Sequence, residues 1–219
     1  MTSDFKTLRT SEQLCDRGFV SADKRAELEM VAARYAVALS PAMAALIDEN
    51  DPHDPIARQF VPSVAEFVHR EEENADPIGD ELYSPVNGIV HRYPDRALLK
   101  LTQVCAVYCR FCFRREMIGP AKPNALSRVA LARALDYIQA HPEIWEVILT
   151  GGDPLILSAR RLRAVMKQLS QIEHVKVVRI HTRVPTADPT FARYSRSACG
   201  DQLVMMNRSV TVHAGPARP

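Results

Sequence analysis

Cys105, Cys109 and Cys112 fall within eight residues, in the spacing C-x3-C-x2-C. In a reducing compartment, thiols this close are metal ligands more often than disulfide partners. A loop of this size can wrap three thiolates round one cuboidal [4Fe–4S] cluster. Ligation by protein alone would take four thiolates, so three leave one iron open. An open position is what a catalytic metal site needs and a structural one does not. Two other readings compete. One is a zinc site with His91 as the nearest fourth donor upstream, although the usual C-x2-C pairs are absent. The other is a set of buried apolar cysteines. Cys15 suits a small core position, and Cys199 has no evident role.

Further candidates stand elsewhere in the chain. Gly151-Gly152-Asp153-Pro154 follows an apolar run. Without side chains, its glycines let backbone groups come close to a ligand, although alone the motif is only a turn. Asp153 suits either a ligand contact or a cap for the next helix. Arg92 and Arg96 flank Tyr93-Pro94-Asp95. Two arginines near one turn can hold a phosphate by charge-assisted bonds. They could equally be surface arginines, one of them paired with Asp95. The planar guanidinium of Arg114 suits a carboxylate; otherwise it is an exposed charge or a partner for Glu116. Thr182 and Arg183 follow the third expected strand, where ligand sites collect in parallel sheets.

The elements that must carry these residues show in the apolar pattern. Residues 1–84 are expected to be a mostly helical region. Leu28, Val31, Ala32, Tyr35 and Leu39 recur at helical spacing behind Ser21 as a cap. Ser40-Pro41 restarts a helix with Ser as cap and Pro in the first turn. Asp51-Pro52-His53-Asp54-Pro55 is a turn between helices, and 70–77 is a polar boundary. From 85 to 187 the rhythm changes. Short apolar runs at 97–104, 146–150 and 175–180 suit buried strands. Between them lie helices capped by Ser127 and Ser158. Strand, helix, strand, helix, strand implies parallel pairing. The fold class expected is therefore α/β. Three strands do not close a barrel, so the sheet should end open. Residues 188–219 break the pattern and form a divergent tail.

The composition is that of a globular protein, 47% hydrophobic and 25% charged over 219 residues. Twenty-eight basic against 26 acidic residues leave a formal charge of +2, with no sign of a nucleic-acid or membrane-surface partner. The start of the chain lacks the apolar core of a signal peptide, and no apolar run is long enough to span a bilayer. The expected compartment is the cytoplasm.

Taken together, His91-Arg92-Tyr93-Pro94-Asp95-Arg96, the cysteine motif with its Cys-Arg-Phe-Cys-Phe-Arg-Arg ending, Thr150-Gly151-Gly152-Asp153-Pro154-Leu155 and Thr182-Arg183-Val184-Pro185 resemble the lysine 2,3-aminomutase family of radical S-adenosylmethionine (SAM) enzymes. That family includes the branch that forms β-lysine on translation elongation factor P. The resemblance runs from the N-terminal helices to about residue 187. It implies an N-terminal helical region followed by an incomplete partial (β/α) barrel. It implies a [4Fe–4S] cluster on Cys105, Cys109 and Cys112, with SAM on the open iron. A 5′-deoxyadenosyl radical would then serve a 1,2-amino migration assisted by pyridoxal phosphate (PLP). By the same resemblance, Gly151, Gly152 and Asp153 meet the amino end of SAM. Arg92, Tyr93 and Arg96 hold the PLP phosphate, and Arg114 holds the substrate carboxylate. The implied partner is a free amino acid or a lysine of elongation factor P.

The match stops short of a full set. The family's PLP lysine lies far toward the C-terminus, and none of Lys6, Lys24, Lys100, Lys122, Lys167 and Lys176 sits in a matching motif. No catalytic residue is therefore assigned. From Thr190 to Pro219 there is a single acidic residue, Asp201. That shift suggests a truncated or out-of-frame end, and an inactive member that binds only a cluster is the alternative. A zinc-binding interaction module is a further one. An open sheet ending at its third strand would expose an apolar edge and favour aggregation.

Overall fold

The computed structural model describes residues 6–68, 71–118, 123–188 and the strands at 203–206 and 209–213. It divides into two compact units. One comprises Met1–Ile78, Cys105–Lys122 and Thr186–Pro189; the other comprises Gly79–Val104, Pro123–Pro185 and Thr190–Pro219.

The first unit is built from short helical pieces: α1 (Ser11–Asp16), α2 (Arg25–Arg34), α3 (Pro41–Ala44) and α4 (Ala57–Phe60). Thr10 caps α1 by accepting from the Gln13 N–H. Ser40 caps α3 by accepting from the Met43 N–H, with Pro41 in the first turn, as expected. The helix expected to run through Tyr35 and Leu39 ends instead at Arg34, and Tyr35 is extended. Leu39 pairs antiparallel with Leu8. Pro41 disfavours the helical region for Ser40, and the Leu8–Leu39 bridge buries both leucines, so tertiary pairing overrides the helical spacing. Ser21 makes no capping bond; the turn it precedes is a 3-10 turn, Ala22–Lys24. The core gathers Leu8, Leu14, Leu39, Met43, Phe60 and Val107.

The second unit is a sheet in the order β1-β2-β3-β4-β6-β5. Its strands are β1 (Ile89–Tyr93), β2 (Arg96–Thr102), β3 (Glu146–Gly151), β4 (Val177–His181), β5 (Leu203–Met206) and β6 (Ser209–His213). β2, β3 and β4 run parallel, joined by α5 (Arg128–Gln139) and α6 (Ala159–Leu169). The fold class is α/β, as expected. Ser127 and Ser158 cap the two helices through the Ala130 and Arg161 N–H groups. α5 buries Ala134, Leu135 and Ile138, and α6 buries Leu162, Val165 and Leu169. All five residues of β3 before its terminal glycine are buried, as befits a central parallel strand.

Two features were not foreseen. β1 pairs antiparallel with β2, Ile89 opposite Leu99; Pro94-Asp95 between apolar flanks was the available hairpin signal. The second feature is the β5–β6 hairpin, which covers the edge expected to be bare. β6 runs antiparallel along β4 from Val177↔His213 to His181↔Ser209. Backbone donors and acceptors left at a sheet edge seek a partner, and here the chain's own hairpin supplies it. Among the described residues, no helix is long and apolar enough to cross a membrane.

Leu149, at the centre of β3, has no exposed surface. Leu149→Ala is expected to cost about 2–5 kcal/mol, read from the midpoint of urea unfolding.

Candidate functional site

The cysteine segment belongs to the first unit, and Cys105–Arg114 forms neither helix nor strand. Its course is set residue by residue. Val107 enters the core of the unit. The Tyr108 N–H donates to Ala38 O at 3.2 Å, and the Arg110 N–H to Gln59 O at 2.8 Å. The Cys112 N–H donates back to Cys109 O at 3.1 Å, closing a turn around Arg110 and Phe111. That turn sends Arg110 inward and leaves Phe111 57% exposed. The three thiols are partly buried and form no disulfide. Among the described residues no three His, Cys, Asp or Glu side chains are gathered as a ready metal site. The donor set still suits an iron–sulfur cluster: three thiols on one irregular loop, neither cross-linked nor sealed in the core. Cys15 is likewise partly buried rather than a core residue, and Cys199 lies outside the described residues.

Arg114 lies over the Phe113 ring at 4.6 Å. Its expected alternative partner, Glu116, is held instead by the Tyr35 hydroxyl at 2.8 Å and by Arg34 at 3.3 Å. Arg115 stacks over the Tyr35 ring. Burial and the bond to Glu116 push the Tyr35 phenol above its ordinary range.

In the second unit, the glycines of Gly151-Gly152-Asp153 are demanded by the chain itself. Gly151 has φ +106°, and a Cβ there would collide with Thr102 O and lie 3.3 Å from Lys100 Cβ. A Cβ on Gly152 would strike the backbone of Val104, 2.7 Å from its nitrogen. The Gly152 N–H donates to Thr102 O at 2.6 Å, and the Asp153 N–H to Val104 O at 2.9 Å. What comes close to these glycines is therefore the end of β2.

Asp153, expected at the amino end of SAM, spends both carboxylate oxygens on protein donors. Oδ1 accepts from the Thr182 hydroxyl at 2.7 Å and the Leu155 N–H at 3.0 Å. Oδ2 accepts from the Arg183 and Val184 N–H groups at 2.7 and 3.2 Å. Burial pushes its carboxyl above the ordinary range, and these bonds pull it back. Asp153 is thus a clasp between the ends of β3 and β4, its capping role included. Thr182 serves this clasp through its side chain and Arg183 through its backbone.

Arg92, Tyr93 and Arg96 lie in the β1–β2 hairpin, at the opposite end of the sheet. Arg96 is in register with Glu146, whereas Thr102 at the far end of β2 faces Gly151. Six residue steps of ~3.3 Å separate the two ends by about 20 Å. Arg96 forms a two-pronged bond to Asp95, 3.0 and 2.8 Å, and lies 3.5 Å from buried Glu146. Arg92 stacks on Tyr83 and pairs with buried Asp80 at 3.7 Å. Tyr93 is exposed. Both guanidinium groups thus stand beside carboxylates in this structure. His91, the nearest fourth donor for zinc, has both ring nitrogens engaged, by the Tyr137 hydroxyl at 2.9 Å and Pro94 O at 3.4 Å.

Gly151→Ala places a side chain in a left-handed conformation against backbone. It is expected to cost at least about 2 kcal/mol, measured as a fall in the thermal midpoint. Asp95 gives a pH test. Arg96 and the Trp145 N–H hold its carboxyl well below the ordinary 3.8. The stabilisation this brings is present above the unfolded value and is lost as pH falls toward the folded one. Wild type and Asp95→Asn should therefore differ by a constant amount above about pH 5 and converge in stronger acid; unfolding midpoints across pH check this.

Residues 99–207 match the family model described as Radical SAM superfamily. The chain is 39% identical over 153 residues to L-lysine 2,3-aminomutase of Clostridium subterminale, which is 70% of this chain and 36% of that protein. It is 36% identical over 190 residues to L-lysine 2,3-aminomutase of Methanococcus maripaludis, covering 86% of this chain and 43% of the relative. Glutamate 2,3-aminomutase of Clostridioides difficile is 38% identical over 162 residues, 74% of this chain and 38% of that protein. The matches thus span less than half the length of these curated relatives. On the cysteine segment, the parallel βα units and these similarities, the chain belongs to the radical SAM superfamily, with its likeness to the lysine 2,3-aminomutases within it.

Proposed function

We propose that the chain carries the cluster-binding portion of a radical SAM 2,3-aminomutase acting on an amino acid, with Cys105, Cys109 and Cys112 as the protein ligands of a [4Fe–4S] cluster. The observation that carries this reading is the C-x3-C-x2-C loop within the matched residues. Its three thiols are partly buried and not cross-linked. A metal site is rarely preformed before its metal binds, and ligand closure is then driven by binding itself. A reduced cluster of this kind supplies one electron to bound SAM, chemistry that side chains alone cannot provide.

The chain's own contributions are placement and recognition. Three protein thiolates leave one iron for a ligand. The Gly151-Gly152 turn would meet the amino group of SAM through backbone carbonyls, since the N–H groups of Gly152 and Asp153 are given to Thr102 and Val104. Arg114 is the candidate for a substrate carboxylate, its planar fork suiting two oxygens. Lysine and glutamate are the substrates printed in the names of the relatives. A free amino acid or a protein-linked lysine, such as one on elongation factor P, is the substrate class proposed. A chain chemistry based on open thiolates also favours a reducing compartment, the cytoplasm.

A second reading is favoured by one observation. Arg92 and Arg96 are paired with carboxylates, so a family member that binds a cluster and SAM without completing amino migration is the alternative.

Anaerobic reconstitution with iron and sulfide, followed by EPR of the reduced protein, tests the proposal. A [4Fe–4S]⁺ signal that changes on adding SAM is expected, and it should vanish in Cys105→Ala, Cys109→Ala and Cys112→Ala. A signal indifferent to SAM, or zinc in place of iron, would overturn it. Turnover of lysine or glutamate separates the first reading from the second.

A further inference from the structure

Within the cysteine turn, the residue between Cys109 and Phe111 is held by both its side chain and its backbone. Arg110 donates from Nε to Glu66 Oε1 at 3.0 Å and from Nη2 to Glu66 Oε2 at 2.6 Å. Its Nη1 donates to Ala36 O at 2.8 Å, and its own N–H to Gln59 O at 2.8 Å. Both side chains are nearly sealed, 8% and 10% exposed. Glu66 is itself fixed from behind. It closes a capping box with Ser63, whose N–H donates to Oε1 at 3.0 Å. Arg115, on the far side of Cys112, approaches Glu66 Oε2 at 3.8 Å.

A buried two-pronged ion pair is a poor source of net stability, since apolar residues of similar volume often do as well. What it supplies is direction: the planar fork admits one orientation of the arginine. Arg110 is bracketed by two cysteines, and the Cys112 N–H bond to Cys109 O closes the turn around it. Fixing Arg110 inward therefore fixes which way the neighbouring thiols face.

We propose that Arg110 and Glu66 form a positioning pair that holds the Cys109–Cys112 turn in the conformation from which metal is loaded. For the metal, this rests on the cluster reading above. Neither residue is a ligand; the pair acts through the backbone of the turn. A spare thiol on α1, Cys15, provides an internal reference that a general loosening of the unit would move.

The test uses the full chain in two measurements. In the first, thiol alkylation by iodoacetamide is followed residue by residue by mass spectrometry on the metal-free protein. Arg110→Lys keeps the charge but loses the fork. It should speed alkylation of Cys109 and Cys112 by about tenfold, as expected for the loss of one charge-assisted hydrogen bond, with Cys15 unchanged. Equal rates, or Cys15 rising in step with the others, would overturn the proposal. In the second, Arg110→Met/Glu66→Met is compared with wild type for iron bound per chain after reconstitution. A melting midpoint like that of wild type with less than half its iron supports positioning; wild-type iron content overturns it. If the double variant does not fold, the Arg110→Lys alkylation decides. If wild type takes up no iron, the cluster reading falls, while the alkylation result still decides whether the pair sets the turn.

Discussion

The second unit depends on one close approach, between the end of β2 and the turn that follows β3. Two glycines are required there because the backbones of Thr102 and Val104 occupy the space that side chains would need. Two hydrogen bonds, from Gly152 to Thr102 and from Asp153 to Val104, join the strands past the point where the regular ladder stops. Val104 is the last residue before Cys105 in the chain. The course of the chain just past β2 is thus set by backbone contact. Asp153 extends the same junction to β4 by taking four donors on one buried carboxylate. Burying a carboxylate is costly unless it is paired, and here the Thr182 hydroxyl and the N–H groups of Leu155, Arg183 and Val184 supply the pairing.

Charge is sorted between the two ends of the sheet. The carboxyl ends of β3 and β4 carry the Asp153 clasp. The amino ends carry Glu146, buried between Arg96 and Arg179 at 3.5 and 2.5 Å. Asp95 and Trp145 complete that end, the indole N–H donating to Asp95 Oδ2 at 3.2 Å. Two arginines around one short turn look like a phosphate cradle in the sequence. In three dimensions their neighbours are carboxylates brought in from other elements, Glu146 from β3 and Asp80 from the segment before β1. The same guanidinium geometry that suits a phosphate suits a carboxylate equally, so residue type alone does not choose between them.

Local grammar was legible wherever it was carried by adjacent residues. Ser40, Ser127 and Ser158 were readable as caps because the hydroxyl acts within three residues of itself. The strands of the parallel sheet were readable from short apolar runs, with ends differing by one or two residues. The capping box at Ser63 and Glu66 has a signature of the same local kind and could have drawn attention to Glu66. Its second role, as the partner of Arg110, joins residues 44 positions apart, and no local pattern encodes that. Tyr35 and Leu39 show the opposite failure, a convincing helical spacing overruled by a distant strand partner.

By itself, the sequence determined the thiol spacing, the alternation of strands and helices and hence the α/β class, and the membership of a family whose motifs lie in contiguous runs. These follow from covalent order and from bonds that span only a few residues. Only the tertiary structure decided what each motif residue touches. It joined Asp153 to groups beyond β3 and β4 and set Arg92 and Arg96 beside carboxylates. It also covered the edge of β4 with a hairpin and buried Arg110 against Glu66. Those outcomes depend on which distant groups arrive beside a side chain, and burial makes each unpaired polar group too costly to leave to chance.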